Sequence, residues 1–183
     1  MPRPRASLFV RFAAMLLALA GVVLLGASSA RAEGDGTLPV AIRIGEIGVK
    51  APVEVRTTVG GQMQDPTAPE VVAWYDDSAR LGTGGNAVVS GHLDVAGYGP
   101  AVFARLEELE KGDVIALLGE DGEVYRYRVV WARPYPAVGG PWTTLTGPTK
   151  RESLTLITCA PPWDPALGHY ANRLVVRAVR QKG

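Results

Sequence analysis

From Val40 onward the apolar residues come in short alternating runs, broken by glycine, proline and acidic turn residues roughly every ten positions. Val40–Ile44, Val49–Val55, Val71–Tyr75, Asn86–Gly91, Asp113–Leu118, Val124–Trp131, Ser153–Thr158 and Asn172–Arg180 all read as strands. Asp121-Gly122 between two of these runs is a strong signal for a tight antiparallel hairpin. Such runs bury one face each, and no train of helical segments separates them, so an all-β architecture follows, a closed or nearly closed barrel. One helix is predicted over Ala101–Leu109, behind Pro100, with Val102, Leu106 and Leu109 on one face. Gly60–Pro69, Asp76–Gly85 and Pro161–Ala171 read as loops, as does the proline-rich Arg133–Lys150, anchored by Trp142 and Leu145.

Residues 1–32 are of a different kind. Arg3, Arg5 and Arg11 precede nineteen uncharged residues, Phe12 to Ala30, and the small-residue sequence Ala30-Arg31-Ala32 follows. That pattern is an export signal, intermediate in length between a secretory core of about 7–15 residues and a membrane span of about 20. The arginines lie ahead of the apolar run, which puts the body outside the cytoplasm. An uncleaved anchor at the outer face of the cell membrane is the reading adopted, with cleavage after Ala32 and secretion as its alternative. Residues 33–39 then form a linker, and 40–183 a single folded domain of a size that supports one core.

Export changes the charge balance. The leader removes four basic residues and no acidic one, leaving 15 of the 19 basic side chains against all 18 acidic ones, a formal charge of −3. No Lys/Arg cluster marks the body, so nucleic-acid binding is excluded. An exported protein ordinarily pairs its cysteines, yet this chain has one, Cys159. A lone thiol in an oxidising compartment is either buried and inert or kept for its chemistry.

A thiol nucleophile is mostly protonated at neutral pH, with a pKa of about 8.5, and needs a base or cation beside it. The chain offers His92 and His169. His92 sits at the exit of the buried run Asn86–Gly91, whereas His169 lies in the loop after the cysteine, so His92 is the better-fixed partner. Acyl transfer also needs donors for an oxyanion, which a guanidinium supplies. Arg173 opens the last strand. If that strand pairs antiparallel with the one delivering Cys159, the two residues meet. Arg177, four residues further, would lie about 13 Å along the strand.

These residues resemble the signature of the sortases: a Thr-Leu-x-Thr-Cys strand end, a Gly-His pair and a late arginine, here Thr155-Leu-Ile-Thr-Cys159, Gly91-His92 and Arg173. Ile42–Val53 is similar to the family's early IPxIGVxAPV stretch, with Arg43-Ile44-Gly45 departing from its proline. Trp74-Tyr75, Gly85–His92, Phe103–Gly112 and Tyr170–Ala178 fit as well. Gly91-His-Leu-Asp94 looks closest to the compact actinobacterial members. The resemblance implies an eight-stranded closed β-barrel with one or two short helices. It also implies a cysteine transpeptidase in which Cys159 cleaves an LPxTG-like sorting signal near the C-terminus of a secreted protein through a thioester acyl-enzyme. The acceptor would be an amine of a peptidoglycan precursor or a pilin. No metal or cofactor enters that chemistry.

Asp94 is read as bonding the loop after His92, and His169 and Trp163 as shaping the loop beside the cysteine. The rival readings are an exported cysteine peptidase or an L,D-transpeptidase, and a non-catalytic wall-associated barrel. The second of these enzymes carries a Ser-x-Gly-Cys string that is absent here.

Overall fold

The computed structural model describes residues 36–181. The signal or anchor expected over residues 1–32, and the first part of the linker, lie outside them. Among the described residues no helix is long and apolar enough to cross a membrane. The described residues all belong to one compact unit.

Eight strands form the barrel: β1 (Pro39–Ile44), β2 (Val49–Arg56), β5 (Val72–Tyr75), β6 (Asn86–Gly91), β9 (Val114–Gly119), β10 (Val124–Pro136), β11 (Ser153–Asp164) and β12 (His169–Arg180). Two small hairpins accompany them, β3 (Thr58–Val59) with β4 (Gln62–Met63) and β7 (Asp94–Val95) with β8 (Gly99–Pro100). The order around the wall is β1-β2-β5-β6-β11-β12-β10-β9, and β1 pairs with β9 to close it. Most pairs are antiparallel, including the β9–β10 hairpin expected at Asp121-Gly122. The pairs β2–β5 and β6–β11 are parallel. The linker ends earlier than expected: Thr37 bridges to Leu81, and β1 has begun by Pro39.

Alternation along each strand divides the side chains between two cores. Ile42, Val89, Leu117, Leu154, Leu156 and Val176 belong to the interior cluster. A second cluster lies on the outer side of the wall, where Ala73, Tyr75, Val88, Ile157 and Val175 pack with Leu145. Leu145 lies on α1 (Trp142–Thr146), the one α-helix among the described residues.

Three sequence expectations are corrected. Ala101–Leu109 is not a helix but a chain of turns with a 3-10 segment at Leu106–Glu108. The amides of Ala104, Leu106, Glu108 and Leu109 each donate to the carbonyl three residues back rather than four, so the segment is built of turns, while the amides of Ala101, Val102 and Phe103 tie it to the carbonyls of Leu93, Pro69 and His92. Phe103, Leu106 and Leu109 still enter the core. Arg133–Lys150 is loop for only half of its length, because β10 continues to Pro136 and α1 follows. Pro161–Ala171 is mostly strand: β11 and β12 extend past the cysteine and pair again at Trp163–Tyr170 and Asp164–His169, with a register shift after Ala160.

Candidate active site

Cys159 lies within β11 rather than at its end, directly opposite Arg173 of β12. On its other side β11 runs parallel to β6, with Ile157 beside Ser90. The same offset carried on by two residues sets Cys159 beside His92. At the intervening step the Thr158 hydroxyl donates to the Gly91 carbonyl at 2.8 Å, which holds the two chains in that register. His92, Cys159 and Arg173 thus occupy one row across three neighbouring chains, each step about 5 Å.

All three fall on the outer face of the barrel. Leu154 and Leu156 of β11 and Leu174, Val176 and Ala178 of β12 point inward. Their alternates therefore point out, and Cys159 and Arg173 are among them. Both side chains are half-buried, as is that of His92. The glycine before His92 has a packing reason: a Cβ at Gly91 would stand 2.5 Å from the ring of Phe103, which is fully buried. Arg177, also outward, is spent elsewhere, donating from Nη2 to the Leu145 carbonyl of α1 at 2.7 Å.

The imidazole of His92 is held by a segment that no sequence motif marks. Its Nε2 lies 3.0 Å from the Pro66 carbonyl. A carbonyl only accepts, so Nε2 carries the proton, and in the neutral ring Nδ1 is the acceptor. The Pro66 segment is itself pinned. Glu54 accepts from both the amide and the hydroxyl of Thr67, at 2.8 and 2.7 Å. The Tyr75 hydroxyl donates to the Gln64 carbonyl at 2.7 Å and sits 2.6 Å from the Ser90 hydroxyl. Burial pushes the Tyr75 hydroxyl up to about 12, so it stays a neutral donor beside the site.

On the opposite flank, Arg173 Nη1 donates to the carbonyls of Tyr170 and Asn172 at 2.9 and 3.0 Å, which fixes the guanidinium's orientation. His169, the second histidine, donates from Nδ1 to the Tyr170 carbonyl at 2.8 Å, and Trp163 packs edge-on against the Tyr170 ring. Both shape the hairpin beside the cysteine, as expected.

The electrostatics of the thiol are mixed. Burial pushes Cys159 above the ordinary thiol value, Arg173 pulls it down, and the carboxylates of Asp65 and Asp94 push it up. The net shift is upward, so at neutral pH the resting group is overwhelmingly the thiol. A base that takes its proton at the moment of attack suits such a group better than a standing thiolate.

The sortase domain family matches residues 42–181. The chain belongs to the sortase family. No curated protein is matched by its sequence. Among solved structures it is similar to sortase A from Corynebacterium diphtheriae, in a lid mutant, at 26% identity and a TM-score of 0.60 over 80% of this chain and 71% of that one. For another sortase A structure from the same organism the identity is 27% and the TM-score 0.60, and this chain spans 61% of its length while 80% of this chain is covered. Sortase C-1 from Actinomyces oris shares the fold at 24% identity and a TM-score of 0.61, over 79% of this chain and 76% of that one. The eight-stranded closed barrel is thus the sortase fold.

Proposed function

We propose that this sortase is an active cysteine transpeptidase at the outer face of the cell membrane, held there by residues 12–30, or secreted if that segment is cleaved. Its substrate is a secreted protein with a C-terminal sorting signal of LPxTG type. Its acceptor is an amine from a peptidoglycan precursor or a pilin. The observation that carries this reading is the outward-facing row of His92, Cys159 and Arg173 on three adjoining chains of a rigid wall.

In the proposed reaction His92 takes the thiol proton as the sulfur attacks the carbonyl carbon of the Thr–Gly bond. Nη1 of Arg173 is occupied by backbone carbonyls, so the donors on Nε and Nη2 are left to meet the oxyanion that forms. Collapse breaks the C–N bond, and the imidazolium returns its proton to the departing glycine amine. The thioester on Cys159 is then attacked by the acceptor amine, whose proton passes to His92 before the sulfur leaves.

The test is cleavage of fluorogenic LPxTG-type and LAxTG-type peptides with and without an amine acceptor, by wild type and by Cys159→Ala. Cleavage by the wild type, a ligated product with the amine and loss of both in the variant are expected. Cleavage that survives removal of the sulfur would rule the reading out.

A further inference from the structure

One end of the reactive row is bridged by side chains rather than by the sheet. Between Ala160 and Trp163 the register of β11 against β12 shifts, so the middle strand there stops tying its neighbours together evenly. At that level Asp94, two residues after His92, accepts a hydrogen bond from the hydroxyl of Tyr170, three residues before Arg173. Both ends of this bond are anchored to the row. Tyr170 holds the Arg173 guanidinium through its carbonyl at 2.9 Å, and its ring stands against Trp163 at 5.3 Å between centroids. Asp94 follows a stretch fixed from behind, where the amides of Phe103 and Ala101 donate to the carbonyls of His92 and Leu93, each at 2.9 Å.

We propose that Asp94 and Tyr170 are a positioning pair, whose hydrogen bond sets the spacing between the His92-bearing exit of β6 and the Arg173-bearing part of β12 across the bulged part of β11. This rests on the transpeptidase reading of the row. The pair touches no reacting atom; it fixes the distance between base and oxyanion donor. Asp94 acts through its bond and not through its charge, since a carboxylate near Cys159 opposes ionisation of the thiol. Asparagine at this position keeps an oxygen that accepts from the Tyr170 hydroxyl while removing the charge, so the two effects separate.

The test uses the full chain with Asp94→Asn, Asp94→Ala, Tyr170→Phe and the Asp94→Ala/Tyr170→Phe double variant, read by peptide cleavage and by the pH profile of thiol alkylation. Asp94→Ala and Tyr170→Phe are each expected to lower kcat on the order of tenfold with KM changed by less than about threefold. Asp94→Asn is expected to stay within about threefold of wild type, and the double variant to be no slower than the worse single one. Asp94→Asn and Asp94→Ala should both move the alkylation midpoint to lower pH, yet only the second should lose kcat. In Tyr170→Phe, amide exchange should quicken at residues 92–95 and 170–173 together, a readout that needs no substrate. Wild-type kcat in Tyr170→Phe, unchanged exchange in both segments, or Asp94→Asn as slow as Asp94→Ala would each overturn the pairing. Cleavage by Cys159→Ala would instead strike the transpeptidase reading, so the two failures are told apart.

Discussion

The Cys159 thiol is held between one cation and two carboxylates in a half-buried position, and the sum favours the protonated form. With the thiol raised, the thiolate fraction at any given pH is smaller than for a free cysteine. Iodoacetamide alkylation should therefore rise with pH to a midpoint above the free-thiol value of about 8.5. Arg173→Ala removes the one group pulling the thiol down. Its alkylation midpoint is expected to move further up, and kcat for peptide cleavage to fall about 10²–10³-fold with the loss of the proposed oxyanion donors. Asp65→Asn is expected to move the midpoint down. A wild-type midpoint at or below that of a free thiol would contradict the assignment. That Cys159, His92 and Arg173 would share one row could be anticipated from the sequence, because the chain has one cysteine and two histidines, and the run carrying Arg173 follows the one carrying Cys159. Asp65, the Pro66 carbonyl and Glu54 were not legible. Their contribution is a loop folded back over the β6 exit, and nothing in Gln64-Asp-Pro-Thr67 announces where that loop lands.

At the scale of elements, the eight barrel strands were located because half-buried strands carry a period of two, although β10, β11 and β12 run several residues beyond the expected bounds, whereas α1 is too short to show a period. The five residues of α1 are too few for a helix to stand on local propensity. The barrel wall holds it instead. Asn86 Nδ2 lies 3.1–3.2 Å from the carbonyls of Leu145, Thr146 and Gly147, and its Oδ1 accepts from the Thr155 hydroxyl at 2.7 Å. Arg177 adds a bond to the same end of the helix. Asn86→Leu is thus expected to destabilise the protein by about 2–4 kcal/mol, since buried carbonyls and a hydroxyl lose partners together. Urea unfolding followed by tryptophan fluorescence measures it. A change below about 0.5 kcal/mol would show that α1 does not depend on this residue. In Ala101–Leu109 a helical spacing of apolar residues serves turns instead, tied to the carbonyls of Pro69, His92 and Leu93 while their apolar side chains fill the core.

For the molecule as a whole, the order of strands is what alternation cannot supply, because β1 closes on β9 and β6 lies beside β11 through contacts far apart in sequence. The antiparallel pairing of the Cys159 and Arg173 strands was inferable from their adjacency in the chain; the parallel pairing that brings in His92 was not. With both cores sharing the same wall, residues 32–183 are expected to unfold in one cooperative transition and to cleave sorting-signal peptides without the preceding segment. Two separated transitions by calorimetry would argue against a single cooperative body. The central claim is that the sulfur at 159 carries the acyl group between donor and acceptor. Intact-mass and peptide-mapping spectrometry of the enzyme quenched during turnover of an LPxTG-type peptide measures this directly. A thioester adduct of the peptide's N-terminal fragment on Cys159 is expected, and it should disappear when an amine acceptor is added. Turnover with the adduct on another residue, or with no covalent adduct and undiminished cleavage by Cys159→Ala, would contradict it.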